Sequence, residues 1–515
     1  MPAAAAWTRE PAAPTGEGKA ARPGPKGWSG RGRGSTTMVD PPPMWRGTTV
    51  QACGLWPWAA GAGAPMVGVP MGRHLFTGAT VCCDVINWFQ RARLISNPSA
   101  FVLGNAGLGK STAIRRMAVG LAGYGVNPLV LGDLKPDYVA MVRALGGQVI
   151  ELGHGRGYLN ILDPGEALAA AERLTGSKRA EVLADLHFRR VQMTEALIQI
   201  QRGTAPTDRE DLLLNAAMRL LADRHDGVPV LGDLLRVIRD APQELRAVAL
   251  DRGDNTRYLD LTEALEVSLM GLAGDGRLGA TFSQPTTEPM RLDAPVAYDI
   301  SGIDDSETDL QAAALLACWS TGFAAVNLAN VLAAAGLEPQ RHFLVILDEL
   351  WRGIRIGRGM VDYVDALTRL NRSKGVGQVM ASHTMSDLDA LASEEDRKKA
   401  AGFVERAGLK MIAGLSPREM PLLQTAVSLS HREQEMLVSW QAPGSWNPRT
   451  NAHDPPPGVG KLLLKVATRP GIPIEIELTD VERHIHDTNQ LWHTQSRIGT
   501  RTEHAPTGQD VVVLP

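Results

Sequence analysis

An α/β fold, with a mainly parallel sheet interrupted by a mostly helical insertion, is predicted by three observations. Short apolar runs recur with helical segments between them, the alternation that a parallel sheet with crossover helices requires. One such run, Ala100 to Leu103, leads directly into Gly104-Asn105-Ala106-Gly107-Leu108-Gly109-Lys110-Ser111-Thr112, followed by Ile114, Met117, Ala118 and Leu121 at helical spacing. From about residue 166 to 290 the apolar runs give way to helical patterning with polar faces.

The glycine-rich stretch fits G-x-x-x-x-G-K-[ST] in the strand, turn and helix context that gives this pattern its meaning. Backbone N–H groups from Gly104 through Thr112 are expected to cradle the β- and γ-phosphates of ATP, helped by the positive end of the following helix. Lys110 reaches between those phosphates, and the Ser111 hydroxyl holds Mg²⁺. A second run, Arg341 to Leu347, ends in Asp348 and Glu349. A buried parallel strand reads as a continuous apolar run, and ligands gather at the carboxyl ends of such strands. Asp348 is expected in the Mg²⁺ shell. Glu349 is expected to orient or deprotonate the attacking water. Two carboxylates opening a helix are the plainer explanation of an isolated run; a phosphate loop in the same chain favours the catalytic one.

Composition narrows the class. At 515 residues the chain is ample for a large core and two to four domains. A net charge of -3 argues against a whole-chain nucleic-acid binder. Cys53, Cys82, Cys83 and Cys318 show no metal spacing, so no structural metal is expected and a reducing cytoplasm fits. The N-terminus lacks the apolar core of a secretory signal. From Leu310 to Leu337 there is no charged residue, a length that would span a bilayer. The segment is alanine-rich and carries Gln311, Asn327 and Asn330, so a helix buried against the sheet is expected.

In order along the chain, residues 1–44 are rich in Ala, Gly, Pro and Arg and are expected to be a disordered tail. Residues 45–165 read as a β-rich lead-in and the first part of an ATPase core, with strands at 128–132 and 148–152 about a helix at 138–145. Residues 166–290 read as a helical insertion subdomain. Residues 291–487 return to strands at 296–300, 343–347, 377–382, 409–412, 461–467 and 474–478. Residues 488–515 read as a loose tail.

Five further segments resemble the conjugative-transfer ATPases of type IV secretion systems, the TraC-like family. Gly68-Val69-Pro70-Met71-Gly72-Arg73, with Thr77-Gly78 and Asp84, resembles that family's lead-in to the phosphate loop. Asp133-Leu134-Lys135-Pro136-Asp137-Tyr138, then Gly146-Gly147, resembles its D-x-K-x-[DE]-Y … G-G stretch. Asn160-Ile161-Leu162-Asp163-Pro164, Asp299-Ile300-Ser301-Gly302-Ile303 and Asp348-Glu349-Leu350-Trp351 complete the series, which covers roughly 65 to 480 in consistent order.

The resemblance implies a RecA-like ATPase with an α-helical insertion, often hexameric, that energises channel assembly or substrate passage. Its implied place is cytoplasmic, peripheral to the inner face of the membrane. Its implied partners are copies of itself, channel proteins, and DNA contacted directly or through those proteins. Family members carry a large N-terminal docking domain that is not legible here. They place Gln after the strand following the acidic motif, to sense the γ-phosphate; here His383 stands there, and histidine changes charge near neutral pH. Arg369 and Arg372 are candidates for steadying transition-state charge across a subunit interface. His484, His486, Asp487 and His493 match no standard metal spacing. Two other functions compete: a DNA translocase of the FtsK or coupling-protein kind, and a nucleotide-binding scaffold of low turnover.

Overall fold

The computed structural model describes residues 66–485, apart from 275, 356–360, 362–364, 366–374, 392 and 448–450. Arg369, Arg372, His486, Asp487, His493 and the two expected tails lie outside the described residues. The strands are β1 (Pro70–His74), β2 (Thr80–Cys82), β3 (Ser99–Leu103), β4 (Val126–Asp133), β5 (Gln148–Glu151), β6 (Val296–Asp299) and β7 (His342–Leu347). They continue with β8 (Val376–Ser382), β9 (Leu409–Ile412), β10 (Trp446–Asn447), β11 (Ala452–His453), β12 (Lys461–Lys465) and β13 (Ile472–Ile476). Among the described residues β10 and β11 pair only with each other; the rest form one sheet in the order β2-β1-β13-β12-β9-β3-β8-β7-β4-β6-β5.

From β9 to β5 the neighbours in that order are parallel, and from β9 to β2 they are antiparallel. The parallel half has both faces covered. β3 and β8 are buried at every position, which is why their sequences carry no polar alternation. Successive side chains still point to opposite faces. Ala100 and Val102 of β3 pack with Ala113, Ile114 and Met117 of the phosphate-loop helix Lys110–Ala122. Phe101 and Leu103 pack toward the opposite core, with Leu315 and Trp319 of the helix Thr308–Ala334.

That second helix is the charge-free segment. It is long and apolar enough to cross a membrane, yet 78% of its most apolar window is buried inside the protein. It lies against β4 and the helix Gly176–Arg202. Gly322 lets it approach closely, since a Cβ there would stand 2.4 Å from a Leu131 methyl.

Between β5 and β6 the chain is helical, with Gly176–Arg202, Asp208–Arg224 and Asn255–Ala273 the longest pieces. Their starts are chemical. Thr207 and Glu210 form a reciprocal capping box, and Asp254 accepts from Thr256 and Arg257 N–H groups. Arg202 grips Glu210 through two nitrogens at 2.8 and 3.1 Å, tying two consecutive helices together. The polar helices Glu394–Arg406 and His431–Trp440, beyond β8, had no sequence expectation.

Candidate nucleotide site

β3 ends at the centre of the parallel half, and the loop after it is held by its neighbours. Gly104 N–H donates to the His383 carbonyl at 3.0 Å, and Asn105 N–H donates to Gly414 at 3.0 Å. Ala413 N–H donates to Leu103 at 2.7 Å, and Gly460 N–H donates to Leu108 at 3.1 Å. Leu108 is the loop's apolar anchor, buried with Ala413 in the core, whereas Ala106 and Gly107 are exposed. Gly104, Gly107 and Gly109 have φ of +152°, +78° and +94°, conformations that side-chain-bearing residues rarely adopt. Gly109 caps the helix Lys110–Ala122. The first turn of that helix therefore presents N–H groups with no partner inside the helix.

Lys110 is buried and folds back over the loop. Its Nζ is 2.6 Å from the Gly104 carbonyl, 3.3 Å from that of Asn105 and 2.9 Å from His383 Nδ1. Burial pushes its ammonium below the ordinary lysine range, and the nearby Asp348 and Glu349 carboxylates pull the other way. Thr112 Oγ1 accepts from Arg115 Nη2 at 3.3 Å.

Asp348 follows β7. Its Oδ2 is 3.5 Å from Ser111 Oγ and accepts from the buried Tyr138 phenol at 2.7 Å. Its Oδ1 accepts from Glu349 N–H at 2.9 Å. Burial pushes the Asp348 carboxyl up, and the phenol and the N–H oppose that. Mg²⁺ takes oxygen ligands at 2.0–2.1 Å in octahedral geometry, so neighbouring ligands stand about 3 Å apart. Ser111 and Asp348 supply the right donor atoms at nearly that spacing. The residues fit the ion.

Glu349 sits in the left-handed region at φ +49°, a conformation costing about 1 kcal/mol or more for a residue with a Cβ. Its Oε1 meets Lys135 Nζ at 3.2 Å and His383 Nε2 at 3.1 Å, and its Oε2 accepts from Trp351 Nε1 at 2.6 Å. Burial pushes this carboxyl up; the hydrogen bond from His383, the Lys135 ammonium and the hydrogen bond from Trp351 outweigh it and hold it below the usual carboxylate range. His383 thus lies between Lys110 and Glu349. An ammonium can only donate and a carboxylate can only accept. The partners therefore assign a neutral imidazole, with Nδ1 accepting from Lys110 and Nε2–H donating to Glu349. A glutamine amide offers the same acceptor and donor pair.

Tyr138, Lys135 and Trp351 had no individual site role in the sequence reading. The first two lie in the D-x-K-x-[DE]-Y stretch and the third in the acidic motif, so the residues were visible but their convergence was not.

The fold and this loop define a class: a RecA-like P-loop nucleoside-triphosphatase fold. VirB4 of Thermoanaerobacter pseudethanolicus has it too, at 18% identity and a TM-score of 0.59, over 82% of this chain and 100% of that one. The plasmid coupling protein TrwB in complex with ADP and Mg²⁺ aligns at 14% identity and a TM-score of 0.44, over 74% of this chain and 85% of that one. No protein-family description matches the sequence, and no curated protein does.

Proposed function

We propose that this chain is the ATP-hydrolysing motor or assembly ATPase of a bacterial conjugation or type IV secretion apparatus. The observation that carries the reading is the convergence of Lys110, Ser111, Asp348, Glu349 and His383 at the carboxyl ends of β3, β7 and β8. The shared fold with VirB4 over that protein's whole aligned chain supports the setting.

In this reading the loop N–H groups from Gly104 to Thr112 bind the phosphates of ATP. Lys110 turns from the Gly104 carbonyl to the β- and γ-phosphates. Ser111 and Asp348 hold Mg²⁺, which when bound neutralises charge on the phosphate oxygens. Glu349 aims the attacking water through its charge, and His383 takes the γ-phosphate-sensing place by linking Lys110, which meets that phosphate, to Glu349. The working form is a ring of copies, a hexamer, at the cytoplasmic face of the inner membrane. There it meets channel proteins and DNA directly or through them, with Arg369 or Arg372 reaching a neighbour's site.

The test is ATP turnover by wild type, Lys110→Ala and Glu349→Gln, with and without single-stranded DNA. Turnover lost in both variants and indifferent to DNA is the expected result. Strong DNA stimulation would move the assignment to a DNA translocase. Tight ATP binding without turnover in the wild type would favour a scaffold.

A further inference from the structure

We propose that Lys135 is a positioning residue for hydrolysis, acting through its ion pair to set where the Glu349 carboxylate points. The inference rests on the reading of Glu349 as the residue that aims water, and extends it to a residue with no place in the phosphate loop or the acidic motif.

Three donors fix the two Glu349 oxygens, and they come from three separate stretches of chain. Lys135 follows β4, Trp351 follows β7 and His383 follows β8. With His383 neutral, Lys135 supplies the full positive charge among them. It shares Oε1 with His383, so together they set the rotation of the carboxylate plane about the oxygen that Trp351 holds.

The backbone that carries Lys135 is braced on both sides. Asp133, itself buried, accepts from Asp137 N–H at 3.2 Å and from Tyr138 N–H at 2.7 Å. Arg115, from the phosphate-loop helix, donates to the Asp137 carbonyl at 2.5 Å. On the other side Tyr138 reaches Asp348. The loop bearing Lys135 is therefore tied to both halves of the site, and any shift of the phosphate-loop helix moves it.

The Lys135 side chain is 57% exposed, whereas that of Glu349 is 13% exposed. An ion pair with one partner so open to water adds little to folding stability. The bracing serves the aim of Glu349 rather than the fold.

The experiment compares Lys135→Met and Lys135→Arg, each alone and in a Glu349→Gln background. It measures kcat, KM, the Kd of a fluorescent ATP analogue and Tm. Expected is a kcat loss of about tenfold or more for Lys135→Met. KM, Kd and Tm should stay near wild type, Lys135→Arg should restore most of the rate, and Lys135→Met should cost nothing further beside Glu349→Gln. A readout independent of turnover is the Trp351 indole N–H resonance, identified as the one missing from Trp351→Phe, which should shift in Lys135→Met. Unchanged kcat and resonance, a raised kcat, or a loss that adds to that of Glu349→Gln would each overturn the proposal. A raised Kd at constant kcat would do so too, by making Lys135 a phosphate ligand. If Glu349→Gln itself leaves turnover intact, the reading of the base fails and this inference with it. If Glu349→Gln is inactive and Lys135→Met is normal, this inference alone fails.

Discussion

Tyr138 donates its phenolic O–H to Asp348 Oδ2 over 2.7 Å, joining residues 210 apart in the chain. The same oxygen faces the Ser111 hydroxyl. A phenol with no exposure to water thus fixes the carboxylate that, with Ser111, offers a magnesium site. Groups of this kind orient metal ligands without touching the metal.

Tyr138→Phe keeps the packing and deletes the donor. Asp348 then loses one of the two hydrogen bonds that oppose the effect of its burial. The Mg²⁺ concentration for half-maximal turnover should rise about tenfold or more, while nucleotide binding without metal stays as it was. A magnesium titration of both proteins checks this, and an unmoved half-saturation point counts against it.

His383 holds Lys110 and Glu349 through one neutral tautomer. His383→Ala removes both contacts and should lower turnover about tenfold or more. His383→Gln, whose amide keeps both roles, should retain most of the rate. Equal losses in the two variants would refute the link.

Gly104→Ala places a Cβ 2.5 Å from that of Ala413, at a φ of +152°. The loop has to shift, and ATP affinity should drop about tenfold or more. Gly125 is the control: its φ is +81° and a Cβ there meets nothing within 4 Å. Gly125→Ala should cost about 1–2 kcal/mol of stability and leave ATP binding alone. Fluorescent nucleotide titration and thermal melts separate the two.

Glu433 links stability to pH away from the site. Its carboxylate accepts from Ser430 N–H at 2.7 Å, Gly471 N–H at 2.6 Å and the buried Lys465 at 3.1 Å. Burial pushes its carboxyl up, but those donors prevail and hold it below the usual carboxylate range. With a lowered folded value, its stabilisation is full above the unfolded value near 4.3 and is lost as pH falls through the folded one. Glu433→Gln leaves Lys465 buried without its counter-charge, at a cost of about 3 kcal/mol near neutral pH. Melting temperatures across pH 3 to 7 should converge at the acid end; parallel curves would contradict the assignment.

The sheet was legible where strands are buried on both faces. Phe343 to Leu347 and Ala100 to Leu103 read as continuous apolar runs because no face meets water. Helices with a polar exterior were harder. Glu394–Arg406 begins with Glu394, Glu395 and Asp396 and buries only a short stripe, so it left no clear period to read. In the site, the loop and the acidic pair announce themselves by local pattern. The hold on Glu349 does not, because it depends on Lys135, Trp351 and His383 meeting in space, and spacing along a chain carries no record of that.

The bracing of the phosphate loop by β8, β9 and the turn at Gly460 has a consequence for biosynthesis. A nascent chain that has emerged only as far as Glu349, just past β7, already contains every residue from Gly104 to Thr112, and Asp348 as well. It still lacks both strands that flank β3, the carbonyls of His383 and Gly414 that receive the loop's first two N–H groups, and Gly460 behind Leu108. Contacts this distant in sequence form late. The chain thus becomes competent to capture ATP only near the end of translation, and a ribosome-bound fragment that stops short of β9 should pass through a pool of nucleotide without retaining it.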